Sequence, residues 1–595
     1  MQRIRDYMKK AGLDAFILPT SDPHDSEYIH PFYQTRQYFT HFTGSAGTAV
    51  ITAEAAALWV DSRYWLQAAE QLQGTPFEMM KDGDESCPDI KTWLLTTLPQ
   101  GGRIGLMAET CNQDMLEGFI PKEAGYEAVL LENDPFEAMQ IEREPIKASH
   151  LTEQGHTMCT VAQKLSRLRT WMAEQKSGVT HFFLNDLSEI AWLLNLRGND
   201  IDFNPVFFAY LLVTPDTVEI FVRPDEESKA LLQRVLGGNT AEGGISYTLH
   251  PYENAAKRLR ELTAAGNLIT MPSSMNMAMV KACGSSLQYL ASPVPFWRMC
   301  KDAEEIRGFE ESMYEDGVAL VRFRRWLDEA IAKGDRITEC LTAERLRAFR
   351  AEQPHFRDLS FETIAAYGPH GAIVHYEPTP ETDVELERKS FLLLDSGGQY
   401  ENGTTDITRT IPVGPLTDEE KRVYTLVLKG HIALSRMVFP AGTTGVQLDV
   451  AARYAMWQEG YDFGHGTGHG VGAHLCVHEG PSQIRKNVRP DTLRPFVSGQ
   501  IVTNEPGIYV TGRFGVRIEN VLLVEEDRKT DFGTFLRFRP LTLCPIDIEA
   551  ISLEMMSASD IAWLNAYHAE VCSKLLPLLS DPRDKKWLKR ATRAI

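Results

Sequence analysis

The sequence predicts a multidomain chain of mixed α/β and α+β class: two N-terminal copies of one α/β plan, a third domain of long helix and β-hairpins, and a C-terminal helical extension. Three observations carry this expectation. At 595 residues, 43% hydrophobic and 24% charged, the chain is too long for a single core. A helix-turn-strand pattern occurs twice before residue 185. From Lys301 onward that pattern gives way to a long amphipathic stretch followed by acid-bearing strands.

The two copies are RIRDYMKKAGLDAFILP (3–19) and RLRTWMAEQKSGVTHFFL (167–184), each reading as amphipathic helix, turn and apolar strand. Arg3, Arg5 and Met8 recur as Arg167, Arg169 and Met172, and an Asp-x-Ser-Glu step follows in each, around Asp25 to Glu27 and Asp186 to Glu189. We read an internal duplication of about 150 residues. Pro and polar residues break the periodicity in EREPIKASHLTEQG (142–155) and ASPVPFW (291–297). The expected segments are 1–148, 149–297, 298–526 and 527–595.

Ile306, Phe309, Met313, Val318, Leu320, Phe323 and Trp326 fall at helical spacing and predict one long helix opening the third domain. Ile561, Leu564, Tyr567, Val571 and Leu575 predict a helix in the last segment, capped by Ser557 or Ser559 and packed on the third domain.

A formal charge of −20, with no Lys/Arg cluster before Lys585-Lys586, argues against nucleic acid as a partner. The most apolar run, VFFAYLLV (206–213), falls far short of the roughly 20 residues a membrane span needs. Charges interrupt the apolar positions of MQRIRDYMKKAGLDAFILP, unlike a secretory signal. Nine scattered cysteines with no C-x-x-C pair argue against a disulfide framework or zinc ribbon. Together these predict a cytoplasmic protein with no membrane anchor.

The chemistry gathers in three stretches of the third domain. FLLLDSGGQYENGTTDITRTI (391–411) reads as a β-hairpin with Asp395 on one arm and Asp406 on the other. A two-residue Asn402-Gly403 turn would leave the two aspartates four residues out of register, roughly 13 Å apart. A wider loop centred between Tyr400 and Glu401 would set them opposite, about 5 Å apart, with Gly397-Gly398 absorbing the slip as a bulge. The wider loop is the expectation. In IVTNEPGIYVTGRFGVRIENVLLV (501–524), a turn centred on Gly512 pairs Glu505 with Glu519 directly. Asp395 follows Phe391-Leu-Leu-Leu394, and Glu519 lies among Val516, Ile518, Val521 and Leu522, so both belong to strands that should be buried. Buried carboxylates need a cation.

The third stretch, GHGTGHGVGAHLCVHEGP (464–481), crowds four histidines and six glycines into eighteen residues. His465 and His469 have the spacing of a helical zinc pair, but Glu is missing at 466 and the glycines oppose a helix. A phosphate loop is disfavoured, because no G-K-[ST] ending follows. A glycine-rich loop presenting imidazole to a metal remains.

Taken together, these segments resemble the pita-bread metallopeptidases, the family of methionine aminopeptidases, prolidases and aminopeptidase P. Five ligands stand in the family order: Asp395, Asp406, His469 in HGTGHGVG, Glu505 in TNEPG and Glu519 in GVRIEN. The likeness runs through SEYIHPFYQTRQYFTHFTGSAGTAVIT, LSEIAWLLNLRGNDIDFNPVFFAY and GAIVHYEP to the whole chain, and so to the long three-domain Xaa-Pro aminopeptidase branch. It implies creatinase-like folds for the two N-terminal domains and a catalytic domain of curved antiparallel sheet backed by helices.

The resemblance also implies chemistry. Two divalent ions would be held, by preference manganese with cobalt or zinc as substitutes: Asp406 and Glu519 bridging, Asp395 on one metal, His469 and Glu505 on the other. A hydroxide between the metals would attack the scissile carbonyl, Glu505 would take its proton, and His375 would shuttle a proton to the intermediate or leaving group. His465 and His478 match histidines lining the substrate site, and Arg63 in DSRYW matches an arginine reaching substrate from the N-terminal domain, in a homodimer from the neighbouring subunit. Arg517 is expected to pair with a ligand carboxylate, and His474 matches no family histidine. The implied substrates are peptides with proline second, whose X-Pro bond lacks an N–H. A prolidase acting on dipeptides, and a pita-bread module that binds peptide without catalysis, are the alternatives. Methionine aminopeptidases lack the two extra N-terminal domains.

Overall fold

A computed structural model describes residues 1–243, 246–490 and 492–595. They form two compact units, residues 1–154 with 159–294, and residues 155–158 with 295–595.

The first unit holds the duplication. One six-stranded sheet takes its strands, in chain order, from Ala15–Pro19, Thr48–Thr52, Ala56–Val60, Glu78–Lys81, Arg103–Met107 and Glu127–Leu131. The other takes them from Phe182–Leu184, Ala209–Val213, Thr217–Val222, Ser246–Pro251, Ile269–Met271 and Leu287–Tyr289. Both run in the spatial order fourth, third, second, first, fifth, sixth. In both, the first three strands pair antiparallel and the other pairings are parallel.

The match reaches single side chains. Met8 and Met172 are each 2% exposed on the copied helices Gln2–Ala11 and Val161–Glu174. Arg5 donates from Nε to the Thr52 carbonyl and Arg169 to that of Thr214, each at the turn closing the second strand. The Asp-x-Ser-Glu parallel is not kept. Asp186 caps helix Leu187–Leu194, whereas Asp25 sits at φ 59° and the neighbouring Asp22 receives the turn's N–H groups from His24 and Ser26. One residue more or less in a turn is enough to move that role along the chain.

Early in the second unit comes the long helix, Ala303–Lys333, started by an Asp302/Glu305 capping box and ended by Gly334 in the left-handed region. Every strand ladder in this unit is antiparallel among the described residues. Helices Asp418–Ser435 and Ala558–Leu575 pack on it: Val423 and Val427 meet Val516 and Ile518 of a strand segment and Leu564, Val571 and Leu575 of the C-terminal helix in one buried cluster. Ser557 caps that last helix, and a further helix, Pro582–Ala591, follows. No helix among the described residues is long and apolar enough to cross a membrane.

Candidate metal centre

The glutamate hairpin has the register its sequence predicts. Asn504 pairs with Asn520 on one side of the acids and Gly507 with Arg517 on the other, which sets Glu505 opposite Glu519, with the turn centred on Gly512.

The aspartate hairpin departs from both registers considered for it. Asp395 pairs with Thr408 and Ser396 with Ile407, and beyond the sheet break Tyr400 pairs with Gly403. The turn is therefore a tight one at Glu401-Asn402, not a wider loop, and Gly397-Gly398 passes in register without a bulge. Asp406 lies two residues from the position opposite Asp395 on the same face, a diagonal of about 7–8 Å, which a cluster of metals can span. Packing decides the turn: Glu401 N–H donates to the His355 carbonyl, Asn402 Nδ2 to Glu311, and the Tyr400 hydroxyl to Asp316.

The glycine-rich stretch is not a loop where it matters. Gly468–Gly470 is a short strand between Glu479–Ile484 and Ile501–Asn504. A Cβ on Gly468 would lie 2.0 Å from the Thr503 carbonyl, so glycine lets this strand come close enough to carry His469 in among the acids.

The two hairpins are stitched together. Thr408 donates its hydroxyl to Glu519 Oε2 (2.9 Å) and its carbonyl accepts from Glu519 N–H (3.1 Å), while the Thr410 hydroxyl donates to the Arg517 carbonyl. One ligand atom each from Asp406, His469 and Glu519 fall within 4.8 Å of one another. His469 Nε2 lies 3.5 Å from Asp406 and 3.4 Å from Glu505 Oε1. Its Nδ1–H donates to the Gly470 carbonyl (2.9 Å), which fixes the ring with Nε2 turned toward the carboxylates, the orientation in which an imidazole can bind a metal. The Thr503 hydroxyl receives the His469 N–H and donates to Glu505 Oε1.

Asp395 takes a fork from Arg517, Nη2 at 2.6 Å and Nε at 3.1 Å, all on Oδ2. Arg517 thus pairs with Asp395, one of the carboxylates expected to be ligands. The other oxygen, Oδ1, is buried with no hydrogen-bond donor.

Asp395, Asp406 and Glu519 are 7%, 4% and 1% exposed, so the acids crowd together away from water. Burial first, then repulsion from Asp395 and Glu505, raises Asp406 far above the carboxylate range. Glu519 rises far for the same reasons, burial and then Asp406, Glu505 and Asp395. Glu505 is pushed to about 7, burial again outweighing the relief from Arg517. One arginine cannot neutralise four clustered carboxylates, and an orphaned oxygen points the same way: these residues fit divalent cations.

The remaining histidines are placed unequally. The His478 ring stands edge-on to His469 with centroids 4.4 Å apart. His465 Nδ1–H donates to the Gly466 carbonyl, so Nε2 accepts from the Tyr509 hydroxyl (2.7 Å), which itself accepts from Arg517 Nη1. His375, half-buried, follows the turn Gly368–Ala372. Glu339, fully buried, fixes that turn by accepting from Tyr367 N–H, His370 and the Tyr376 hydroxyl. Arg63 lies in the first unit, forked on Asp61 at 2.7 and 2.9 Å. His474 is buried at φ 49°.

Thr408, Thr503 and Tyr509 are site residues that sequence reasoning missed. A signal existed for two of them: Thr408 and Thr503 stand two residues from Asp406 and Glu505, on the same face of a strand.

Residues 309–526 match metallopeptidase family M24, residues 1–123 and 142–305 each match the creatinase/prolidase N-terminal domain, and residues 534–595 match the C-terminal region of peptidase M24. The chain is 37% identical to aminopeptidase P2 of Arabidopsis thaliana over 98% of its own length and 86% of that protein's. It is 38% identical to a probable Xaa-Pro aminopeptidase P of Laccaria bicolor, over 99% and 92%. The X-prolyl aminopeptidase of Caenorhabditis elegans, described as a cytosolic enzyme with a di-nuclear active site, superposes with a TM-score of 0.90 at 31% identity, over 98% of this chain and 95% of that one. An Xaa-Pro dipeptidase from Bacillus anthracis shares the fold across 65% of this chain, at 24% identity and a TM-score of 0.50. The order of the clustered acids and histidine, the hairpin geometry and the full-length likeness agree, and the chain belongs to metallopeptidase family M24, in the long form that its Xaa-Pro aminopeptidase relatives share.

Proposed function

We propose that this chain is a metal-dependent aminopeptidase that releases the first residue of peptides with proline in second position. The observation that carries the reading is the buried acid and histidine cluster in a chain that follows Xaa-Pro aminopeptidases from end to end. A dipeptidase reading gains little, since the Bacillus anthracis enzyme aligns with only 65% of the chain.

Asp395, Asp406, His469, Glu505 and Glu519 would hold two divalent cations, with Asp406 and Glu519 shared between them. Four carboxylates and one imidazole make a hard to borderline donor set, for which manganese is our proposed native ion and cobalt or zinc substitutes. When bound, such ions polarise a carbonyl and lower the pKa of water towards neutrality. Glu505 takes the proton of the attacking water. His375 passes a proton to the tetrahedral intermediate or the departing proline nitrogen, and His478, beside His469, lines the substrate site. His465 and Arg63 contact the peptide.

The same reading divides the chain into segments 1–148, 149–297, 298–526 and 527–595, and places it in the cytoplasm, in keeping with nine scattered cysteines. It also makes the protein a homodimer. Val450, Tyr454 and Trp457 lie exposed at 45%, 62% and 42% along one stripe of helix Gly445–Trp457, an apolar face that a second copy would cover.

A direct assay tests the activity. The purified protein should free arginine from Arg-Pro-Pro and leave the dipeptide Arg-Pro nearly untouched. Activity should vanish in chelator and return with Mn2+. Full turnover in chelator would sink the metal mechanism, and preference for the dipeptide would favour a prolidase.

A further inference from the structure

Behind the acid cluster lies a guanidinium that the reaction does not use. Arg409 directly follows Thr408 in strand Ile407–Pro412, so the two side chains leave the strand on opposite faces. Thr408 points to Glu519, and Arg409 points away from the site into the protein, where it is 3% exposed.

Arg409 donates to six acceptors. Nε reaches the Pro545 carbonyl at 3.0 Å. Nη1 reaches the Thr408 carbonyl at 2.9 Å and the Glu519 carbonyl at 2.6 Å. Nη2 reaches Asn520 Oδ1 at 2.9 Å, the Cys544 carbonyl at 2.8 Å and the Tyr567 hydroxyl at 3.0 Å. One side chain thereby joins the aspartate hairpin, the glutamate hairpin at its ligand Glu519, the stretch after the sheet, and the C-terminal helix. Tyr567 completes the join by donating its single proton to the carbonyl of Thr542 or Cys544, both at 2.9 Å. Next to it, His568 Nε2 accepts the Ile546 N–H.

All six acceptors are neutral. The carboxylate that acts on it, Asp547, is itself forked by Arg324 and accepts none of these six bonds, and a buried charge held this way is a poor source of stability compared with apolar packing of the same volume. What it supplies is geometry, because a planar fork with five N–H groups fixes several backbones at once. Glu519 is held at three points: residues 408 and 409 together bind its N–H, its carbonyl and one carboxylate oxygen.

We propose that Arg409 and Tyr567 are positioning residues for the metal centre, which makes the C-terminal helix part of the active-site scaffold. The inference rests on the reading of Glu519 as a ligand. Its probe is Mn2+ titrated calorimetrically into the metal-stripped full chain. Tyr567→Phe, which removes one oxygen and keeps the ring, should weaken Mn2+ binding on the order of 10-fold, within the range seen when groups that orient ligands are lost. At limiting Mn2+ its kcat should fall by a similar factor and recover in excess Mn2+, with KM for the peptide unchanged. Arg409→Lys, which keeps the charge and loses the fork, should weaken Mn2+ more. Leu564→Ala, in the same helix and also buried, should lower Tm while leaving Mn2+ affinity alone. The inference is overturned if Tyr567→Phe binds Mn2+ like the wild type while Glu519→Gln does not, or if Leu564→Ala weakens Mn2+ as much as Tyr567→Phe does. Wild-type Mn2+ binding by Glu519→Gln would instead overturn the ligand reading beneath it.

Discussion

The glutamate hairpin turns at Gly512, which stands at φ 73° with no heavy atom within 4 Å of where a Cβ would sit. The aspartate hairpin turns at Glu401-Asn402, pressed under the long helix so closely that a Cβ on Gly308 would lie 2.1 Å from the Asn402 carbonyl. One turn is set by the conformational preference of its own residue, the other by what packs on it. Both hairpins deliver two carboxylates to one cluster, the glutamates directly opposite and the aspartates on a diagonal, so one cluster is assembled once by local and once by tertiary means.

Breaking the cluster itself should have the largest effect. Glu519→Gln should lose bound metal, counted per chain by elemental analysis, and lower kcat/KM by more than the roughly 100-fold typical of residues that merely support a ligand. A variant that keeps two metals would remove Glu519 from the bridging role.

Two glycine substitutions then test the contrast between the hairpins. Gly308→Ala should displace the Asn402 turn, cost about 1–3 kcal/mol of stability as overpacking does, and weaken Mn2+ binding along with Tm. Gly512→Ala should cost about 1 kcal/mol, the penalty of a left-handed residue, and leave kcat/KM and Mn2+ affinity unchanged, since nothing presses on that turn. Equal kinetic damage from both would erase the distinction.

The smallest effect should appear in the pH dependence of the metal-free protein. Burial and mutual repulsion raise Asp406, Glu505 and Glu519, with Glu505 at about 7. A carboxyl whose folded pKa lies above its unfolded value adds stability that is complete below the unfolded pKa and is lost as pH rises through the folded one. The Tm of the stripped chain should therefore fall by several degrees between about pH 5 and pH 8, and the rise in Tm on adding Mn2+ should widen over the same range. A flat metal-free profile would mean the carboxylates are not crowded as described.

Much of this was legible before any coordinates. Periodic apolar residues announce the long helix and the C-terminal one, Ser557 or Ser559 marks the start of the latter, and the repeated Arg and Met positions reveal the duplication. These are local patterns, carried by residues within a turn or two of one another. The turn at Asn402 was not legible, because its local Asn-Gly signal yields to contacts from residues about 50 to 90 positions upstream. Nor was the strand at His469, whose glycines look like a loop until Thr503 is seen against them. The Arg409 and Tyr567 join spans 158 residues of sequence and has no pattern at all.

The sequence by itself determined which acids and histidines stand in the third domain and in what order, since residue types and the Gly512 turn are properties of short segments. Only the tertiary structure decided how the aspartates meet the glutamates, and which side chains hold them there. Those distances depend on hydrogen bonds between segments that come together only when the sheet, the long helix and the C-terminal helix close on a common core.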